Sequence, residues 1–225
     1  MIQTVQELYE LTEKPIISKI NFKLLQEYYE TYLMPLEYTF ELHNGTIIEL
    51  CFKKDKFCHL IGTESAIKTK YQNEGKRKQY KGDWGYRRIK RGELTIQSLK
   101  SEAHPRGFNS IKSKLVYFYL APHIFNSPEL MVKFKKIPGS TVDCEFILYD
   151  FLHNVYAHIG IEKDSNNGKY YPRTFLVETT TTKDGQRFIR DQEELQIVRA
   201  SLKPSNIGTP LVPISPKVIV PRESE

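Results

Sequence analysis

The chain is short of the features that mark several large protein classes. Its three cysteines, Cys51, Cys58 and Cys144, are odd in number and too few for a disulfide framework. None forms a CxxC pair, so reduced and mostly buried thiols are expected. No apolar run approaches the roughly 20 residues that a membrane helix needs. The opening MIQTVQELYELTEK sets acids and polar residues where a signal peptide needs an apolar stretch, so the expected compartment is the cytoplasm, with no membrane partner. There is no GxxxxGK[ST] loop and no GxGxxG, which removes support for nucleotide hydrolysis and dinucleotide redox chemistry. Cys51, Cys58 and His59 lack zinc-site spacing. Asp143 and Glu145 share a strand face that could ligate Mg²⁺, but the acid-x-Lys companion occurs only as Glu74-Gly75-Lys76 inside a basic stretch. No metal and no cofactor is therefore expected.

What is present begins with 225 residues, 40% hydrophobic and 27% charged, enough for one full core or two small ones. The charge is unevenly placed. Residues 68 to 91 hold ten bases against two acids, a balance of +8, which leaves 23 bases and 25 acids elsewhere. The bases are Lys68, Lys70, Lys76, Arg77, Lys78, Lys81, Arg87, Arg88, Lys90 and Arg91, interleaved with Tyr71, Tyr80, Trp84 and Tyr86. Cations that neutralise phosphates beside flat rings that stack on bases are the pattern of a nucleic-acid surface. The plainer reading is a solvated loop whose charge serves solubility.

Along the chain, NFKLLQEYYETYL offers Asn21 as a cap and apolar Phe22, Leu25, Tyr29 and Tyr32 at helical spacing, stopped by Pro35. EYTFELHNGTIIELCF reads as a hairpin around Asn44-Gly45, the pair suited to a type I′ turn. Helices are expected over 63–70, 92–103 and 108–125. From Leu130 the texture becomes strand-like: LMVKFKKIPGS, VDCEFILYDFL, NVYAHIGIEK, YYPRTFLVETT and RFIRDQEELQIVRASL, parted by turn clusters. The expected fold is α+β: N-terminal helices and a hairpin, followed by a curved antiparallel sheet of four to five strands. The early hairpin either joins that sheet or forms a subdomain. The predicted organisation is a helical segment over 1–35, a main domain over 36–202 with a basic insertion at 68–91, and an extended tail over 203–225 with five prolines.

Three stretches carry a family resemblance. FKKDKFCHLIGTESAIK, residues 52–68, contains F-x-H-L-x-G at Phe57, His59, Leu60 and Gly62. The runs VDCEFILYD, NVYAHIGIEK and YYPRTFLVE, with an aromatic-Pro-x-Thr-Phe motif at Tyr171 to Phe175, are followed by RDQEELQIVRASL. Over about residues 36 to 202 the chain resembles the phage-borne nucleases of the barnase, EndoU, colicin-nuclease and RelE-like (BECR) class, in their fourth phage group. That resemblance implies a compact helix-plus-curved-sheet nuclease, metal-independent RNA cleavage, and a role in conflict between phage, plasmid and host.

The chemistry can be weighed on its own. Metal-free RNA cleavage needs a base for the 2′-hydroxyl, charge stabilisation of the phosphorane and an acid for the leaving 5′-oxygen. Histidine, with an unperturbed pKa near roughly 6.5, serves either proton step. His59 is the first candidate, mostly on the resemblance; the plainer reading is a capping or core histidine. Lys68 and Lys70 follow it, read as a turn or so away. His158 shares a predicted strand face with Tyr156 and Gly160 and is the second proton candidate, although half-buried histidines are more often structural. Tyr171, Arg173 and Thr174 offer a ring, a planar cationic fork and a hydroxyl. Regular alternation puts Thr174 opposite the other two, so convergence of all three needs a bulge near Pro172.

The residues together with the resemblance imply a metal-independent endoribonuclease of toxin type acting on RNA, with tRNA one candidate substrate and a protein inhibitor or a host-defence complex as candidate further partner. The alternative is a non-catalytic phage protein that binds nucleic acid or a partner and acts on a host defence complex.

Overall fold

The computed structural model describes residues 2–125, 130–180 and 185–206. The chain divides into two units, one from Met1–Thr31 with Lys53–Tyr119 and the other from Tyr32–Phe52 with Leu120–Glu225. The proline-rich stretch beyond Asn206 falls outside the described residues, as does the 181–184 segment.

The first unit is helical: α1 (Val5–Tyr9), α2 (Phe22–Tyr32), α3 (Lys54–Ile61), α4 (Thr63–Lys68), α5 (Glu74–Arg77), α6 (Gly82–Lys90), α7 (Ile96–Glu102) and α8 (Pro105–Tyr117). Asn21 caps α2 as its place before the apolar repeat predicts, its Oδ1 accepting the Leu24 N–H at 2.8 Å. Helix α8 starts with Pro105 at its first position, and the His104 ring accepts the Arg106 N–H at 3.2 Å. The buried tyrosines find partners for their hydroxyls: Tyr28 donates to the Tyr119 carbonyl at 2.7 Å and Tyr29 to the Lys53 carbonyl at 2.9 Å. Burying these rings is favourable only because each polar tip is satisfied.

The second unit corrects the expected fold. Strands β1 (Leu36–Leu42), β2 (Ile47–Cys51), β3 (Leu130–Lys133), β4 (Phe146–Leu152), β5 (Val155–Lys163), β6 (Tyr170–Thr179) and β7 (Glu193–Pro204) form a closed seven-stranded barrel ordered β1-β2-β6-β5-β4-β3-β7. They do not make an open curved sheet of four to five strands. The early hairpin is what closes it. Its first strand pairs antiparallel with β7 from Leu36↔Pro204 to Leu42↔Ile197, and its second meets β6 in parallel at Leu50↔Tyr170. Closure removes both free sheet edges, each of which would otherwise leave a row of unpaired backbone groups. Just past β7, Ser205 donates its N–H to the Pro35 carbonyl and its hydroxyl to the Met34 carbonyl, each at 2.7 Å.

The hairpin turn also differs from expectation. Gly45 alone carries the positive φ, at 80°, and its N–H bonds back to the Leu42 carbonyl at 2.8 Å. This is a turn ending in a left-handed glycine, so the two positive-φ positions of a type I′ turn are not required.

Alternate side chains of the strands fill the barrel, among them Phe40, Leu50, Met131, Leu148, Ile159 and Phe175, all buried. A second, smaller core lies on the outer face of β3 to β6. There Val132, Ile147, Phe134 and Phe188 form a buried cluster, with Ile137, Val142, Cys144, Tyr149, Leu176 and Ile189 packed on it. Strand β5 is therefore covered on both faces, and its residues 155–161 are almost continuously buried.

This double cover encloses His158 completely. Its ring lies among Tyr149, Tyr156 and Phe188, with centroids at 6.2, 6.4 and 5.9 Å. Neither ring nitrogen makes a hydrogen bond of good geometry. Burial pushes the imidazole pKa down to about 4, and the neighbouring Leu176 backbone opposes this only in part. His158 is thus neutral in the folded protein and out of reach of a phosphodiester, which corrects its expected role as a proton carrier.

The unfolded chain protonates this ring near pH 6.5 and the folded chain only near 4. The His158 contribution to stability is therefore full above pH 6.5 and is lost as pH falls toward 4, by about 3 kcal/mol at most. Denaturant unfolding of the wild type and His158→Phe across pH 4 to 7 is expected to show a shallower pH dependence in the variant.

Candidate nucleic-acid interface and active-site residues

The basic stretch is folded. Helix α6 packs on α3 at a point where there is no room for a side chain. A Cβ on Gly85 would stand 2.7 Å from Cys58 Sγ and 2.8 Å from the Tyr80 carbonyl carbon. The Thr63 hydroxyl donates to the carbonyl of Tyr80, and Gln26 Nε2 donates to the carbonyl of Tyr86 at 3.0 Å. The Gly85–Cys58 approach seats the basic helix on α3, which carries His59, and the two hydrogen bonds tie the basic stretch to α4 and α2.

Two of the four expected stacking rings are core residues. Tyr80 and Tyr86 are buried, and their hydroxyls donate to the carboxylates of Glu102 and Glu30. Burial and these acids raise both phenol pKa values, that of Tyr80 to about 12. Neither ring offers a face to a nucleobase. Trp84, by contrast, is 58% exposed, and Tyr71 is half-buried with the ammonium groups of Lys70 and Lys76 at 5.5 and 5.9 Å from its ring centre.

The ten bases divide in the same way. Arg77 and Lys81 meet Glu64 at 3.6 and 3.5 Å, and Lys81 also meets Glu74 at 2.8 Å. Arg88 and Arg91 share Glu93, and Lys90 meets Glu30 at 3.5 Å. Half of the apparent charge is thus answered within the unit. Lys68, Lys70, Lys76, Lys78 and Arg87 are exposed and make no ion pair among the described residues. With Tyr71 and Trp84 they are the part of the stretch free to meet a polyanion.

His59 occupies the last turn of α3, half-buried, a helix that the sequence reading does not predict. Eight residues with buried Phe57, Cys58, Leu60 and Ile61 are too few for helical spacing to stand out beside a preceding strand. Lys68 closes α4 and is exposed. A residue missed by sequence reading is Lys114 of α8, whose Cδ lies 3.5 Å from the Cβ position of Gly62, just past α3. Burial draws its ammonium pKa down to about 8. Its sequence context, one lysine of a helix repeat, carries no signal of this.

In the second unit, β6 contains a bulge next to Pro172, the condition under which Tyr171 and Thr174 can share a face. Gly160 pairs with Thr174 and Ile161 with Pro172, which leaves Arg173 as the extra residue. The bulge shifts the parity of the strand, so that Tyr171 and Thr174 come to the same outer face. Arg173 Nη1 lies 3.1 Å from Glu162 Oε2, and the Tyr171 hydroxyl donates to that same oxygen at 3.1 Å. Arg173 and Glu162 are each more than a third exposed, at 38% and 37%, so the pair is screened by solvent and contributes little to stability. Thr174 is buried, 8% exposed. Among the described residues no group of three or more His, Cys, Asp or Glu side chains gathers in metal-binding geometry.

Comparison with known proteins decides the family. Residues 23–203 match the family model described as phage-Barnase-EndoU-ColicinE5/D-RelE like nuclease4 (PBECR4). The chain belongs to that family. Its nuclease-like character makes nucleic acid the partner class, consistent with the exposed cations and rings of the first unit. No curated protein and no solved structure matches the chain. No helix among the described residues is long and apolar enough to cross a membrane.

The close approach of α6 to α3 is testable. Gly85→Ala is expected to lower unfolding free energy by about 1–3 kcal/mol, because Cys58 and the Tyr80 backbone must move to admit a methyl group. Urea titration measures this.

Proposed function

We propose that this PBECR4 protein is a metal-independent endoribonuclease that cleaves RNA by attack of a 2′-hydroxyl on the adjacent phosphate, in phage–host or toxin-type conflict. The observation that carries the reading is the set of exposed cations Lys68, Lys70, Lys76, Lys78 and Arg87, which make no ion pair among the described residues, with Tyr71 and Trp84, in a chain that matches a nuclease family. RNA lies along these groups, its phosphates on the cations and its bases on the two rings.

In this reading His59 takes or returns the proton, Lys68 and Lys70 stabilise the charge that builds on the phosphorane, and the first products carry 2′,3′-cyclic phosphates. Arg173, held beside Tyr171 by Glu162, is the candidate in the second unit for a charged hydrogen bond to a phosphate. The partner protein is an inhibitor or a host-defence component.

Purified protein incubated with total RNA in EDTA is expected to generate ends carrying cyclic phosphate, and His59→Ala is expected to abolish them while RNA binding persists. Trp84→Ala is expected to weaken RNA binding by about 1–3 kcal/mol, the worth of one stacked base. RNA that is bound but left intact in EDTA and in Mg²⁺ alike sinks the catalytic reading and leaves a nucleic-acid-binding module.

A further inference from the structure

The second unit carries a basic groove that the sequence charge count hides. It has a volume of about 340 Å³ and is lined by Lys135, Lys136, Arg187 and Arg190, with Ile137 and Pro138 as an apolar wall. Asp191 is the one acid among its described lining residues. Lys135, Lys136 and Arg187 are exposed and make no ion pair among the described residues.

The groove is held open by the outer core. In the segment after β3, Phe134 is buried and Ile137 half-buried, while Lys135 and Lys136 between them face solvent. In the segment before β7, Phe188 is buried and Ile189 half-buried between exposed Arg187 and Arg190. Both segments therefore anchor apolar side chains in one cluster and leave their cations along a common rim. The Gln192 amide ties them together, accepting the Lys135 N–H at 2.6 Å and donating to the Lys135 carbonyl at 3.3 Å. That two-point bridge fixes the spacing of the walls before any ligand arrives, which lowers the ordering cost of binding.

We infer that this groove is a second nucleic-acid contact, which takes the phosphodiester backbone of single-stranded RNA on Lys135, Lys136, Arg187 and Arg190 and a base against Ile137 and Pro138. The inference rests on nucleic acid being the partner, as read above, but not on cleavage. The volume suits about one nucleotide. Four cations facing one acid favour a chain of phosphates over a neutral ligand, and the arginines add planar forks that match phosphate oxygens in pairs.

The test uses the whole 225-residue chain and a fluorescent 2′-O-methyl oligonucleotide, which lacks the attacking hydroxyl and so reads binding alone. Substitution of the four cations by Gln is compared with a variant of equal net charge that carries Gln at exposed Lys23, Lys100, Lys112 and Arg199. Loss of three to four phosphate contacts should reduce the slope of log affinity against log salt by about 2 to 3. At fixed moderate salt the groove variant should bind at least about tenfold more weakly than the control, as expected for several lost contacts. On the wild type, bound oligonucleotide should protect Lys135 and Lys136 from acetylation. Affinity and salt slope equal to those of the control, or lysines acetylated as fast with RNA as without, would overturn the inference. So would a groove variant that loses only binding of adenosine monophosphate while its oligonucleotide affinity is unchanged. Failure of cleavage by the wild type leaves these binding readouts intact, so the two readings fail separately.

Discussion

The second unit depends on the pairing of β1 with β7, which joins the chain at Leu36 to the chain at Pro204. Contacts between such distant segments are costly in loop entropy and are repaid only when a large surface is buried. Here the repayment is the barrel interior, filled by alternate residues from every strand. Once β1 and β7 are zipped, β7 has a partner on each side and β2 is carried to β6. The result is that β3 to β6 are fixed firmly enough to support a further layer on their outside.

That outer layer sets the character of the region. Ordinarily one face of a small barrel is solvated, and polar residues on it titrate freely. Covering it with Phe134 and Phe188 makes β5 a strand buried on both sides, and the polar residue on its outer face, His158, is held neutral. The same layer leaves charged residues at its rim, and the Arg173 bulge lies on β6, next to β5. Burial and charge presentation are thus two results of one packing decision. In the first unit the same logic operates through Tyr80 and Tyr86, whose burial anchors a helix that presents Trp84 and Arg87.

Much of this was legible locally. Asn21 before an apolar repeat marked α2, and alternation between turn clusters marked β4 to β7, because capping and parity are properties of neighbouring residues. The F-x-H-L-x-G and aromatic-Pro-x-Thr-Phe runs pointed to the nuclease family. Barrel closure was not legible, since nothing in a local pattern states which distant strand completes a ladder. Helix α3 was hidden by its shortness. The ten bases of residues 68–91 looked equivalent in sequence, yet Glu64, Glu93 and Glu30 answer half of them, and only three-dimensional placement tells Trp84 from Tyr86. The groove bases were diluted in the count by adjoining Glu193 and Glu194, although KFKKIP and RFIR each carry the charge–hydrophobe alternation that produced it.

The meeting of β2 with β6 has a mechanical meaning. Every other neighbouring pair of strands shares four or more register positions, whereas this one has the single parallel bridge at Leu50↔Tyr170, supported by the Cys51 thiol on the Tyr170 carbonyl at 3.6 Å. A cylinder fails along its weakest staves. Local opening is therefore expected to start at this seam, its amides exchanging hydrogen ahead of those in the β5–β6 ladder.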